Sequence, residues 1–398
     1  MKAIIIGGGI AGLAAANGLN KIGWQVLVYE QVPELNAAGA GLVLSANALK
    51  ALRVMGLYDP VLKLGQPLHK FTIRSRKGKV LADTNHLQLS EQFGVQSSIS
   101  IHRAELQQAL MAQLKPQQIQ TGKRFKEFSQ NGQKVTVSFD GGSSDTADLL
   151  IGCDGVHSAV RQQLVPGARK RFAGYTCWRG ISLKMPAGIN AHQATESWGT
   201  GDRFGIVPLT HERVYWFACL NAKLAQDPAM KAMGIEALQE QFRSYHAPIK
   251  ELIGLTPPNA LIWNDIIDLE PITSYTHGRV VLTGDAAHAT TPNMGQGACQ
   301  ALEGTAVLIA QLAKLPLHKA LEAYNAQRVP RAISIVKRSW QLGKLAQLSN
   351  PLAVGLRNAL FPLIPQSVNK KQLKELMDIE LEVIPQSYQR QPNLLDSL

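Results

Sequence analysis

Cysteine is scarce in this chain: four residues in 398, at positions 153, 177, 219 and 299, with no CxxC spacing. That usage excludes a disulfide framework and a thiolate metal cluster, and it fits a reducing cytoplasm. Long apolar runs are missing too. No stretch reaches the roughly 18 uncharged apolar residues that a membrane span needs, so no transmembrane helix is expected. Cations outnumber anions, 41 Lys and Arg against 29 Asp and Glu, for a net charge of +12. They are dispersed, and the tightest cluster is Arg74-Ser-Arg76-Lys77-Gly-Lys79. No basic run interleaves with aromatics, which excludes a nucleic-acid interface and leaves small anionic ligands as the use for the charge. Ser-His-Asp and metal-ligand spacings are absent as well, so neither a nucleophilic triad nor a metal site is expected. The first apolar strand begins at Ala3, leaving no room for a leader peptide, and the expected location is the cytoplasm.

What is present is a soluble globular composition, 45% hydrophobic and 18% charged, long enough for two intimately packed domains. Residues 2–30 read as a βαβ unit: an apolar strand over Ala3–Ile6, a helix over Leu13–Ile22 and a second buried strand over Gln25–Glu30. Between the first two lies Gly7-Gly8-Gly9-Ile10-Ala11-Gly12. Gly7 suits the tight turn, Gly9 the close approach of backbone to a pyrophosphate, and Gly12 the packing of helix on strand. The helix N-terminus then aims free N–H groups at that pyrophosphate. Glu30 closes the second strand, where a carboxylate can accept from a ribose hydroxyl, which favours FAD or NAD and disfavours a 2′-phosphate. No second fingerprint of this kind follows a strand later in the chain.

Far downstream, Arg279-Val-Val-Leu-Thr-Gly284-Asp285 reads as a strand ending in an acid, with Pro292 beyond it. Gly295-Gln296-Gly297 then opens a helix expected over Ala298–Leu312, whose N-terminal dipole suits developing negative charge. Between the two ends, a strand over Asp148–Ile151 leads into the turn at Asp154-Gly155, with Arg161 beyond, and Arg103 starts a helix. Two stretches break the pattern. Residues 68–82 and 172–269 alternate as antiparallel strands do, with Val214, Trp216, Ala218 and Leu220 on one face and Tyr215, Phe217 and Cys219 on the other. Arg203–Leu209 reads as the hairpin neighbour of that strand. Such an aromatic-rich sheet is a natural wall for an organic ligand.

In order, these three motifs resemble those of the single-component FAD-dependent aromatic hydroxylases, over residues 1 to about 330. The features lie nearest urate hydroxylase-like, salicylate hydroxylase-like and zeaxanthin epoxidase-like members. The resemblance implies an α/β fold: a Rossmann-type FAD-binding domain of the p-hydroxybenzoate hydroxylase kind (GR2), an inserted, mainly antiparallel substrate sheet and a C-terminal helical region. The expected boundaries are 1–67, 98–171 and 270–325 for the FAD-binding domain, 68–97 and 172–269 for the sheet, and 326–398 for the helices. It also implies that Asp285 contacts the ribityl and ribose part of FAD and that Pro292 lies beside the flavin. Arg103 would reach the FAD phosphates, and Asp154 the pyrophosphate region linked to NAD(P)H binding.

The implied reaction uses NAD(P)H and O2 to hydroxylate an aromatic or heteroaromatic, acidic small molecule through a flavin C4a-hydroperoxide, in a monomer or homodimer. Arg203 and Tyr215, 12 residues apart, resemble the substrate-activating arginine and orienting tyrosine of the urate hydroxylases. A FAD-dependent reductase or dehydrogenase without oxygen insertion, and a monooxygenase inactivating a polycyclic natural product or antibiotic, are the alternatives. A non-catalytic FAD-binding protein is a further one. His288 reads as packing rather than as an acid–base group. Val329–Leu348 alternates basic and apolar positions (Arg331, Lys337, Arg338, Lys344, after Arg328) and reads as a helix stopped by Pro351. It is expected to pack over the FAD-binding part, the alternative being a membrane surface. The last dozen residues are expected to fray.

Overall fold

The structure is a computed structural model that describes residues 1–35, 40–85, 87, 94–96 and 98–381. The expected frayed tail lies outside the described residues. The Lys2–Ile6 strand is buried beyond its first residue and pairs in parallel with Gln25–Tyr29 and Leu149–Gly152. These are the centre of a six-stranded sheet, completed by Val280–Leu282 and Thr276–His277 on one side and Ile119–Gln120 on the other. A strand covered on both faces needs apolar residues at every position, which Ala3-Ile-Ile-Ile6 supplies. The Ile10–Lys21 helix covers one face. Its small residues let it approach the Gly297–Lys314 helix closely: a Cβ on Gly18 would lie 2.7 Å from Ile309 Cγ1. The two ends of the chain thus share one core.

A seven-stranded sheet stands against this layer. Its order is Ile262–Leu269, Lys170–Ser182, Val214–Asn221, Asp202–Pro208, Gln193–Trp198, Lys70–Ser75, Val80–Asn85. All neighbours are antiparallel except Gln193–Trp198 with Lys70–Ser75. One face of Val214–Asn221 (Val214, Trp216, Ala218 and Leu220) packs with Trp178, Phe204 and Phe242 under the Ile235–Gln241 and Ile249–Gly254 helices. The opposite face carries Tyr215, Phe217 and Cys219. Two smaller three-stranded sheets flank these layers.

The C-terminal helix differs from the sequence expectation at both ends. It runs from Leu317 to Ala346, straight through Pro330, although proline removes a backbone donor and crowds the carbonyl four residues back. Packing on both sides of the proline outweighs that cost. Tyr324 donates to Leu282 O at 2.9 Å, and Arg328 and Arg331 both reach the buried Glu303 of the Gly297–Lys314 helix. Pro351 does not stop this helix. It opens the next one, Pro351–Leu360, at its first position, capped by Asn350, where a missing N–H costs nothing.

Candidate active site

Where the seven-stranded sheet faces the nucleotide-binding layer, the structure encloses a cavity of about 460 Å³. Gly9, Arg103, Asp285, Pro292, Gly295 and Gly297 line one side, and Arg203, Tyr215 and Phe217 the other. Eight of the sequence-selected residues therefore meet in one space. Four others stand behind it. Gly7 (φ +107°) packs on Cys153, where a Cβ would come within 2.5 Å of the carbonyl oxygen, and a Cβ on Gly12 would meet Gly7 O at 1.9 Å. Both glycines hold the turn closed. The Glu30 carboxylate accepts from Gly8 N at 2.7 Å and Val32 N at 3.0 Å, so it shapes the glycine turn from behind.

The Asp154 carboxylate is engaged within its own turn. It accepts from Ser158 Oγ, Ala159 N and Val160 N at 2.5, 2.7 and 3.1 Å, closing the start of the Ala159–Leu164 helix. Burial raises its pKa, and these donors oppose the rise. Its neighbours Cys153 and Gly155 line the cavity instead. Arg161 is buried and donates to Ala286 O at 3.0 Å and Val156 O at 2.6 Å, tying this turn to the Asp285 segment. Burial likewise pushes the Asp285 carboxyl above the usual range, against the pull of Arg103 and Arg161. His288 is absent from the lining. Burial, reinforced by Arg328, drives its pKa down to about 3, so it is neutral and packs near Tyr275.

The cavity walls fit FAD. A Cβ on Gly9 or on Gly297 would meet no atom within 4 Å, so both backbones face open space. Each begins or caps a helix that no side chain caps, leaving N–H groups for a pyrophosphate at one helix and for an electron-rich ring edge at the other. Thr290 lines the cavity, and its buried Oγ1 has no partner among the described residues, as expected where a ligand supplies one.

The substrate side departs from the simplest reading of the hairpin. Arg203 faces Cys219 and Tyr215 faces Val207 across the register. They share a face, but lie four pairs apart, about 13 Å at strand rise. Each has a different partner. Arg203 donates to Glu196 Oε1 at 3.0 Å and to Asn293 Oδ1, and its guanidinium lies 5.1 Å from the Tyr175 ring centroid. Asn293 also accepts from Tyr175 Oη at 2.9 Å and donates to Thr291 Oγ1 and Ser339 O. It therefore ties Arg203 to the Pro292 turn and to the C-terminal helix. Tyr215 lies within electrostatic reach of Arg179, which donates to Asn264 Oδ1 at 3.2 Å. Burial raises the Tyr215 pKa and Arg179 opposes the rise, so the phenol stays protonated. Cys177 stands opposite Cys219 in the cavity wall, and its thiol is shifted down, first by the hydrogen bond with Cys219.

Sequence reasoning missed Arg179, Glu196, Tyr175 and Asn293. The first two alternate correctly on their strands, but only the pairing register puts them on the cavity face. Asn293 carried a signal in its position next to Pro292.

A nucleotide-binding layer with two glycine turns on one cavity, roofed by a polar-aromatic sheet, defines a FAD-dependent monooxygenase of the aromatic hydroxylase class. The chain belongs to the family described as FAD binding domain, whose model matches residues 1–339. It is 36% identical over 365 residues to the aurachin C monooxygenase/isomerase of Stigmatella aurantiaca, covering 92% of this chain and 94% of that one. It is 35% identical over 345 residues to a FAD-dependent urate hydroxylase of Klebsiella pneumoniae, covering 85% and 88%. The crystal structure of Klebsiella pneumoniae HpxO complexed with FAD and uric acid matches with a TM-score of 0.86 and 30% identity, over 95% of this chain and 96% of that one. No helix among the described residues is long and apolar enough to cross a membrane.

Proposed function

We propose that this enzyme hydroxylates a fused heteroaromatic small molecule bearing an acidic ring hydroxyl or N–H, with NAD(P)H and O2 as co-substrates, in the cytoplasm and as a monomer or homodimer. The observation that carries the reading is the roof of the cavity. Arg179, Arg203 and Tyr215 line the cavity opposite Pro292, Gly295 and Gly297, with Tyr175 packed behind Arg203, and Leu42, Val43, Val207, Phe217 and Ile262 add apolar surface to the same space. The relatives named for urate hydroxylation and for synthesis of 2-heptyl-3-hydroxy-4(1H)-quinolone act on rings of this kind.

Gly7, Gly9, Gly12, Glu30, Arg103, Asp285, Pro292, Gly295 and Gly297 would hold FAD, with the Asp154 turn supporting the phosphate end. Bound FAD, once reduced, supplies an electrophilic oxygen atom derived from O2. The residues of the roof then have defined tasks. A guanidinium stabilises the anion left when the substrate's ring proton departs, and that charge makes the ring a better target for an electrophile. Tyr215, beside Arg179, orients the ring, and the apolar wall excludes water from the reacting atoms. All these side chains stand on paired strands, where positional error is small.

The test is a panel of 4-hydroxyquinoline, urate and salicylate presented to FAD-loaded enzyme with NADH or NADPH under oxygen-18 gas. At least one fused heteroaromatic should stimulate NAD(P)H oxidation and emerge carrying one labelled oxygen. Oxidation without labelled product from any of them refutes the reading.

A further inference from the structure

We propose that the C-terminal end of the molecule, together with the tip of the Lys70–Ser75/Val80–Asn85 hairpin, is a docking surface for an anionic lipid bilayer. The first observation is an apolar face that none of the described residues covers. In the Pro351–Leu360 helix and the residues after it, Leu352, Leu356, Leu360 and Leu363 are 85%, 60%, 52% and 73% exposed, and Ile364 and Val368 are exposed too. Leu352, Leu356 and Leu360 recur every fourth residue and form one stripe. Single exposed leucines are ordinary, but a contiguous run of them marks an interaction site.

The charge pattern sharpens the reading. From Leu345 to Asn369 the only ionisable side chain is Arg357. It is buried and turned inward, donating to Ala346 O and Gly199 O at 3.0 Å each. There it caps the carbonyl end of the Leu317–Ala346 helix and leaves the outer face uncharged. A helix of ten residues spans about 15 Å, half a hydrocarbon core, so it lies in the interface and does not cross it.

The basic cluster at 74–79, which the active site does not use, sits beside this face. The Phe361–Leu363 turn packs against Val80–Asn85, the outermost strand of the seven-stranded sheet. The Phe361 ring lies 5.1 Å from the Trp198 ring, and Trp198 O accepts from Arg76 N at 3.0 Å. One residue thus fastens both the leucine-bearing turn and the basic hairpin. Lys77 and Lys79 are exposed, and neither is ion-paired to a carboxylate among the described residues, while Val80 beside them is 45% exposed. Peripheral membrane binding takes two signals, apolar insertion and attraction to anionic headgroups, and both are side by side here. A second copy of the chain fits the surface less well. Face-to-face docking would bring the lysines of both copies together, with no acidic residue between 345 and 369 to answer them.

The experiment is flotation of FAD-loaded protein with vesicles of phosphatidylcholine alone or with about one-third phosphatidylglycerol, at near-physiological salt. The wild type should float with the anionic vesicles at least ~10-fold more than with the neutral ones. The double variant Leu356→Glu/Leu363→Glu should lose binding by ~10-fold or more, and Lys77→Glu/Lys79→Glu should lose the preference for anionic lipid. Both variants should keep their FAD content and their NAD(P)H oxidation in solution, because the altered side chains point away from the cavity. A wild type that stays behind with anionic vesicles overturns the proposal. So does a leucine variant that floats like the wild type, or a wild-type dimer that the leucine substitutions turn into a monomer.

Discussion

Replacing Arg203 by alanine tests two properties at once, and the structure separates them. The guanidinium is 2% exposed and its Nη1 lies 3.0 Å from Glu196, itself 9% exposed at the side chain. Removing it strands a buried carboxylate whose remaining donor among the described residues is Trp198 Nε1, at 2.9 Å. Breaking a buried pair from one side costs about 3–5 kcal/mol, most of it the penalty of the orphaned charge. Arg203→Ala should therefore lower the urea midpoint sharply. Arg203→Ala/Glu196→Gln, which removes that charge, should recover about 2 kcal/mol or more. The catalytic loss should behave differently. Absence of the guanidinium from the roof removes about 2–4 kcal/mol of transition-state stabilisation, a fall of roughly 30- to 1000-fold in substrate-stimulated turnover, and the second substitution should not restore it. FAD content should persist in both variants, since Arg203 and Glu196 are not among the residues that would hold FAD and Asn293 keeps its bonds to Thr291 and Ser339. Equal stability of the single and double variants would refute the ion-pair argument, and wild-type turnover and coupling in Arg203→Ala would refute the substrate role.

Two further outcomes concern single carboxylates. Glu30→Ala removes the acceptor for Gly8 N and Val32 N along with the proposed ribose contact, and should weaken FAD binding by about 1.5–3 kcal/mol; an unchanged FAD dissociation constant, read by flavin fluorescence, would show that the turn needs no carboxylate. Burial alone would raise the Glu303 pKa, but Arg328 and Arg331 outweigh it and bring it from 4.5 to about 2. The folded value being the lower one, this group contributes stability in full above pH 4.5 and loses it as pH falls toward 2, about 3 kcal/mol in all. The urea midpoint should fall across that interval in the wild type and much less in Glu303→Gln; parallel profiles would refute the assignment.

Some of this molecule is written in short stretches of sequence. Gly7–Gly12 has one sterically allowed use between a strand and a helix, because a Cβ at Gly12 would collide with the carbonyl of Gly7. The alternation of Val214–Leu220 sorts side chains to two faces through the period of the strand itself. The Gly295–Gly297 turn starts a helix by its own backbone preferences. All of these depend on neighbours within a few residues, so they are legible before folding. The pairing of cations with acids and phenols is not. The spacing of Arg203 and Tyr215 puts a cation and a phenol on neighbouring strands, but it does not state that Arg203 pairs with Glu196 and stacks near Tyr175, or that Tyr215 lies beside Arg179. A strand's sequence states which face a residue occupies but not which residue stands opposite. That the Asp154 carboxylate closes a helix start is not legible either, because its three donors lie within reach only once the turn has formed. The Leu317–Ala346 helix continues through Pro330 because Glu303, from another helix, holds Arg328 and Arg331 on either side of it. Local preference is set by a residue and its chain neighbours, whereas register, charge pairing and tolerated proline are set by contacts between segments far apart in the chain, and these exist only in the folded protein.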